Sequence, residues 1–195
     1  MCLFRGDKCL FNSLEFALNP GQLLIVEGSN GSGKTSLLRG IAGLLEFEQG
    51  EIHWEGNLLH GHYQAFRADL AWFAHKVGFK DDLNLLENLR FEQSLHSFDE
   101  GSVMAVLARL GLDLLTELPL RSLSAGQQRR VALARMLLSK GRVWMMDEPF
   151  TNLDGAGRSL VDAVLSEHLA NGGSAIVATH QPLEIVGDVK RVSLS

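Results

Sequence analysis

Four apolar residues, Leu23-Leu24-Ile25-Val26, run toward Gly28-Ser29-Asn30-Gly31-Ser32-Gly33 and then into the helix-like stretch Lys34-Thr35-Ser36-Leu37-Leu38-Arg39. A short, uninterrupted apolar run marks a strand buried on both faces. Strand, glycine loop and helix in that order place the chain in the α/β class. Gly28-x-x-x-x-Gly33-Lys34-Thr35 is a complete phosphate-binding loop pattern. Its glycines let backbone N–H groups turn around phosphate oxygens, and the following helix presents its positive end. Lys34 can reach the β- and γ-phosphates, and the Thr35 hydroxyl can ligate Mg²⁺. The bland alternative is a glycine-rich turn before a helix. The strand in front and the helix behind favour nucleotide binding.

Two more buried strands carry polar residues at their ends. Val143-Trp144-Met145-Met146 leads to Asp147-Glu148-Pro149, and Ala175-Ile176-Val177-Ala178 leads to Thr179-His180. Between them Leu160, Val161, Val164, Leu165 and Leu169 recur at helical spacing, and Asn171-Gly172-Gly173 stops the pattern. Strand, helix and strand at that length read as a βαβ unit with parallel strands. In an open parallel sheet ligands sit at the carboxyl ends of the strands. The phosphate loop, Asp147-Glu148 and His180 are therefore expected in one crevice. There Asp147 suits a water-mediated Mg²⁺ contact, Glu148 can polarise a water for attack on the γ-phosphate, and His180 can touch that phosphate. Taken singly, an Asp-Glu pair reads as a solvated turn and a histidine as a strand-end residue.

The middle of the chain differs. Gly50-Glu51-Ile52-His53-Trp54-Glu55-Gly56 alternates like a half-exposed antiparallel strand. From Asn84 to about Ser139 the pattern is helical. Asn84 and Glu87 have capping-box spacing, and Met104, Leu107 and Leu110 mark the apolar side of a helix ended by Gly111. Ser124 and Gln127 repeat that spacing ahead of Val131, Ala134 and Leu138. This reads equally as a well-capped helix or as an anion site built from a hydroxyl and a small-residue backbone. The expected organisation is one domain over 1–195, with a helical subdomain at approximately 80–140 inserted in an α/β core.

Composition narrows the function classes. At 195 residues, 46% hydrophobic and 21% charged, the chain is an ordinary globular one, neither disordered, collagen-like nor a disulfide miniprotein. A net charge of -5 advertises no nucleic-acid partner. Cys2 and Cys9 fit neither a zinc pattern nor a disulfide framework. They read as buried small residues of an N-terminal strand in a reducing compartment. Arg5, Asp7 and Lys8 interrupt the apolar start, so it lacks a signal-peptide core, and no uncharged run approaches the roughly 20 residues of a membrane span. A soluble chain, or one held at a membrane by a partner, is expected.

Gly28 to Thr35, Leu123-Ser124-Ala125-Gly126-Gln127, Met146-Asp147-Glu148-Pro149, Leu153-Asp154 and Thr179-His180, in that order, closely resemble an ATP-binding cassette ATPase. They match its Walker A, signature, Walker B, D-loop and H-loop elements over nearly the whole chain. The resemblance implies a P-loop NTPase fold with a mainly parallel sheet, an antiparallel β lobe and a helical subdomain. It also implies a head-to-tail homodimer with two ATP molecules sandwiched between the copies. Gly28, Ser29, Asn30, Gly31, Ser32, Gly33, Lys34, Thr35 and Ser36 of one copy would hold ATP. Ser124, Ala125, Gly126 and Gln127 of the other would cover it, with Asp154 at the interface. Thr35 and Asp147 would hold Mg²⁺, and Glu148, His180 and Lys34 would be catalytic.

Leu123 to Arg135, Asp147-Glu148-Pro149-Phe150-Thr151 and Thr179-His180-Gln181-Pro182-Leu183 look more particularly like the ATPase subunits of cytochrome c maturation (haem exporter) transporters. That implies integral membrane subunits as partners, at the cytoplasmic face of the bacterial inner membrane. It implies neither direct haem binding nor a nucleic-acid partner. The alternatives are the ATPase of another transporter, a P-loop small-molecule kinase, or a non-transport cassette protein. Two departures stand out. Lys76 occupies the place of a usual glutamine that contacts Mg²⁺ and the attacking water, and an ammonium has no lone pair for a metal. It is expected to point to a phosphate, to lower turnover, or simply to be solvated. The candidates for stacking on adenine are Arg5, through its guanidinium plane, and the adjacent Phe4.

Overall fold

A computed structural model describes residues 1–5, 8–60, 63–76, 78–95, 100–183, 185 and 187–194. The elements β1 (Leu3–Arg5) and β2 (Lys8–Phe11) form an antiparallel hairpin. Next, β3 (Leu23–Gly28) passes through the glycine loop into α1 (Lys34–Ile41). A second hairpin, β4 (His53–Trp54) and β5 (Asn57–Leu58), precedes α2 (Tyr63–Ala68) and β6 (Leu70–Phe73). Three helices follow, α3 (Leu85–Leu95), α4 (Val103–Arg109) and α5 (Ala125–Leu138). The chain then returns as β7 (Val143–Asp147), α6 (Gly155–Ala170), β8 (Ser174–Ala178) and β9 (Val189–Leu194).

The main sheet has the order β6-β7-β8-β3-β9, and all its pairings are parallel. Successive strand residues point to opposite faces, and the packing follows that alternation. Leu23, Ile25, Phe73, Trp144, Met146, Ala175 and Val177 pack with Val131 and Leu133 of α5 and Val161, Val164 and Leu165 of α6. The intervening Leu24, Val26, Val143, Met145, Ile176 and Ala178 pack with Leu37, Leu38 and Ile41 of α1 and with Leu3, Leu10 and Phe11 of the first hairpin. Both faces are dry, which is why residues 23–26 of β3, 143–146 of β7 and 175–178 of β8 are uninterrupted apolar runs.

Several sequence expectations change. The alternating segment forms a strand only at His53–Trp54, because Glu55 and Gly56 adopt φ of 51° and 79° and turn it back into β5. In α4, Leu107 is buried but Met104 is 53% exposed, since Val103, Val106 and Leu107 form the face that packs on the core and Met104 lies off it. The reciprocal Asn84–Glu87 bonds do form, at 2.8 and 2.9 Å, and Gly111 at φ 65° follows the end of α4. Cys2 is buried, but Cys9 is exposed, because the two-stranded β1–β2 ribbon is covered on one face alone. Phe4 and Arg5, the adenine-stacking candidates, belong to β1, and their side chains lie outside the described part of the structure.

His168 of α6 stacks on Trp144 of β7, with ring centroids 4.0 Å apart and planes 10° apart. Its Nε2 lies 3.2 Å from the Ser174 carbonyl. Burial holds its pKa below the ordinary 6.5, outweighing the backbone bonds that raise it. The unfolded chain thus binds a proton first as pH falls. Stability is complete above pH 6.5 and declines as pH drops below it. Urea titrations at pH 7.5, 6.0 and 5.5 should register this decline, and His168→Phe, which keeps a ring on Trp144, should make it shallower. Equal slopes for the two proteins would contradict the assignment.

Candidate functional site

Lys34, Thr35, Asp147 and Glu148 share one cavity of about 500 Å³, which Asn30, Gly31, Leu10 and His75 also line. It lies at the carboxyl ends of β3 and β7. The loop that forms its floor needs glycine at two places. A Cβ on Gly28, at φ 155°, would fall 2.4 Å from Ser32 Oγ and 2.6 Å from the Leu194 carbonyl oxygen. Gly33, the N-cap of α1, sits at φ 103°, and a Cβ there would come 3.1 Å from Leu10 Cβ. No side chain caps α1. Its first-turn N–H groups, which have no intrahelical acceptors, stay available to an anion.

The Lys34 ammonium is buried. It donates to the Gly28 carbonyl at 2.8 Å and the Ser29 carbonyl at 3.2 Å, and it lies 3.3 Å from Glu148 Oε1. The Thr35 hydroxyl donates to Asp147 Oδ2 at 2.8 Å. Glu148 takes the left-handed conformation, at φ 49°, and its N–H donates to the Ala178 carbonyl at 2.8 Å. That strained turn aims the carboxylate back toward Lys34 and His180. His180 Nδ1 lies 2.9 Å from Glu148 Oε2. Five residues from three strand ends are thus linked by short contacts.

The donor set fits a magnesium nucleotide. Asp147 is 2% exposed, and its Oδ1 has no hydrogen-bond partner among the described residues. A buried, unpartnered carboxylate oxygen beside a hydroxyl suits a hard divalent cation. Ser32 Oγ in the loop is likewise buried and unpartnered among the described residues.

Other expected residues are elsewhere. Ser124 and Gln127 do form a capping box on α5, with bonds of 2.8 and 3.2 Å. Yet Ser124, Ala125, Gly126 and Gln127 do not line the phosphate cavity. Ala125 borders a separate cleft of about 310 Å³ with Lys76, Thr151 and Asn152. Asp154 N-caps α6 through the Gly157 N–H at 2.8 Å and lies 3.7 Å from Arg130 Nη2. The signature segment and Asp154 therefore adjoin each other, apart from the phosphate loop of the same chain.

Lys76 is exposed and lines two flanking clefts, while its neighbour His75 lines the phosphate cavity. Arg129 carries no flag in the sequence beyond its place after the signature. It is 5% exposed, donates to the Ala74 carbonyl at 3.1 Å, and lies 5.2 Å from the Phe73 ring centroid. Burial pulls its pKa down, and the charges of Asp147 and Glu148 oppose that pull. It anchors the segment that brings His75 to the cavity.

A family model described as "ABC transporter" matches residues 11–151, a span holding the phosphate loop, the signature and Asp147-Glu148. The chain belongs to the ABC transporter family. Its relatives include the cytochrome c biogenesis ATP-binding export protein CcmA of Methylococcus capsulatus, 45% identical over 98% of this chain and 93% of that one. The protein of that name from Vibrio cholerae is 44% identical, over 92% of this chain and 87% of its own. Solved structures agree on the fold. One, the ATP-binding subunit of an ABC transporter, has a TM-score of 0.82 at 22% identity, covering 92% of this chain and 76% of its own. Another, an ABC transporter ATP-binding protein from Pyrococcus furiosus, has a TM-score of 0.84 at 23% identity, covering 99% and 93%. This ABC chain is an ATP-binding, ATP-hydrolysing subunit of the CcmA type.

Gly28→Ala tests the loop geometry. Its methyl must displace the Leu194 backbone as well as the Ser32 side chain. ATP affinity, measured by isothermal titration, should fall at least about tenfold, with a lower Tm. Unchanged affinity would contradict the close approach.

Proposed function

We propose that two copies of this chain close head to tail over two ATP molecules, and that hydrolysis there drives the membrane subunits of a cytochrome c maturation complex. The work done would be haem export or release of a haem-loaded chaperone on the periplasmic side, with this chain at the cytoplasmic face of a bacterial inner membrane. What carries the reading is the linkage of Lys34, Thr35, Asp147, Glu148 and His180 by contacts of 2.8 to 3.3 Å at one sheet edge.

Each residue has a task that its surroundings suit. Lys34 exchanges its carbonyl and carboxylate partners for the β- and γ-phosphates, a charge-assisted contact made by a buried ammonium. The loop from Gly28 to Ser36 wraps the phosphates with backbone N–H groups. Once Lys34 turns to phosphate, Glu148 is free to orient and polarise the attacking water. His180, bonded to Glu148, reaches the γ-phosphate and steadies the charge that grows there. Mg²⁺, held by Thr35 and Asp147, would neutralise charge on the β- and γ-phosphate oxygens.

The second copy follows from what a single chain leaves apart. Ser124, Ala125, Gly126 and Gln127 head α5, an anion-accepting helix start away from the phosphate loop of their own chain. A head-to-tail pair would bring them onto the partner's nucleotide, with Asp154 at the contact. The helices between about 80 and 140 act in this reading as a subdomain that swings the signature into place. A groove of about 390 Å³, lined by Leu44, Trp72, Lys76 and Glu92, would receive a membrane subunit. No helix among the described residues is long and apolar enough to cross a membrane. Attachment in this reading runs through those subunits, and the reading requires no contact between this chain and haem.

Two variants test the composite site. Glu148→Gln should bind Mg-ATP, fail to turn it over, and elute as a dimer in size-exclusion chromatography with light scattering. Lys34→Ala should lose ATP binding by about tenfold or more, since a charged hydrogen bond disappears. A Glu148→Gln protein that stays monomeric in saturating Mg-ATP would overturn the paired arrangement. Full ATP affinity in Lys34→Ala would overturn the role given to that lysine.

A further inference from the structure

The residue after His180 is tied to a different element of the fold. Gln181 Oε1 accepts a hydrogen bond from Arg158 Nη1, although the two residues are 23 positions apart in the chain. The Arg158 guanidinium also lies over the ring of Phe150, 5.2 Å from its centroid. Phe150 is buried, two residues beyond Glu148. On its other side Gln181 donates its N–H to Thr179 Oγ1 at 3.0 Å. Thr179 is fully buried, and its N–H donates to the Val26 carbonyl at 3.1 Å. His180 therefore stands between two anchored neighbours.

Its own side chain is not anchored so firmly. It is 47% exposed, with a bond to Glu148 Oε2 at 2.9 Å. An imidazole that open to solvent keeps one orientation only if the backbone beneath it is held. Thr179 holds the strand side, and the Arg158–Gln181 bond holds the other. Arg158 suits this task because a planar guanidinium can stack on a ring and donate in its own plane at once, which a lysine ammonium cannot do.

Arg158 has a second connection. It lies in the first turns of α6, where its N–H donates to the Asp154 carbonyl at 2.9 Å. Asp154 caps that helix. A shift at Asp154 thus moves the Arg158 backbone directly, and with it the group that holds Gln181.

We infer that Arg158 is a positioning residue, and that the bracket Phe150–Arg158–Gln181 sets His180 against Glu148 according to the placement of the start of α6. The inference rests on the roles given above to Glu148 and His180. It makes the Asp154 end of α6 a point from which His180 is aligned. A bracket that served stability alone would change the melting temperature and leave turnover as it was.

The test is a double-mutant cycle on steady-state Mg-ATP hydrolysis by the full chain, with ATP affinity and Tm measured on each protein. Arg158→Ala and Gln181→Ala should each lower kcat about tenfold, with KM within about twofold of wild type. The double variant should fall no further than either single one, as expected for residues that act as a unit. Gln181→Glu, whose carboxylate also accepts from Arg158, should keep kcat near wild type, and Arg158→Lys should not. Additive losses, or lower Tm with unchanged kcat, would refute the bracket. His180→Ala separates the two levels: if it hydrolyses ATP as fast as wild type, the role of His180 falls and the bracket with it. If His180→Ala is slow while the bracket variants are not, the bracket alone is refuted.

Discussion

A buried ammonium must be paired, and the pairing of Lys34 organises everything around it. Two loop carbonyls accept hydrogen bonds from it, and a Glu148 oxygen 3.3 Å away supplies the opposite charge. Leaving such a charge without partners costs about 3–5 kcal/mol. The partners come from distant stretches of sequence, so the sheet must bring them together. With β8 between β7 and β3, the strand ends carrying Asp147-Glu148, His180 and the phosphate loop become neighbours. Glu148 accepts a left-handed backbone to face Lys34, a strain of about 1–3 kcal/mol that a rigid surround can hold. Lys34 is thus already partnered by groups that a phosphate can replace.

The sheet can hold that strain because both its faces are packed. Alternate residues of β3, β7 and β8 feed two separate cores, one with α5 and α6 and one with α1 and the first hairpin. Motion of α6 is consequently felt at β7 and β8, through Val161 and Leu165 in the core and through Arg158 at the rim. The same helix begins at Asp154, beside Arg130 of α5. The segment proposed to meet a second copy and the residue proposed to contact the γ-phosphate are therefore parts of one stiff unit.

How much of this was legible in the sequence depended on range. β3, β7 and β8 stood out because burial on both faces leaves an uninterrupted apolar run. The phosphate loop stood out because glycine is demanded by backbone crowding, as at Gly28. Both capping boxes were legible because their partners are three residues apart. β9 was not, since it is an edge strand in which Leu194 alone of six residues is buried and Lys190-Arg191 break the apolar run. The short β4 was overextended because alternation continues past the residues whose φ reverses the chain. Met104 and Cys9 were assigned inward by type, but α4 turns its Val103, Val106 and Leu107 side to the core and the two-stranded ribbon is covered on one face, which left them outside. Arg129, His75 and the Arg158–Gln181 bond were invisible for a common reason. Each acts through a contact far away in sequence, and nothing local marks it.

The central claim, that each ATP site is completed by a second copy, is tested most directly by complementation. Lys34→Ala and Ser124→Arg chains should each be inactive alone, because every paired site then lacks either its phosphate loop or its signature. Mixed in equal amounts and allowed to exchange, they should regain about a quarter of wild-type ATPase activity: half the pairs are mixed, and each has one intact site of two. No recovery on mixing, or full activity of the Ser124→Arg protein by itself, would contradict the account.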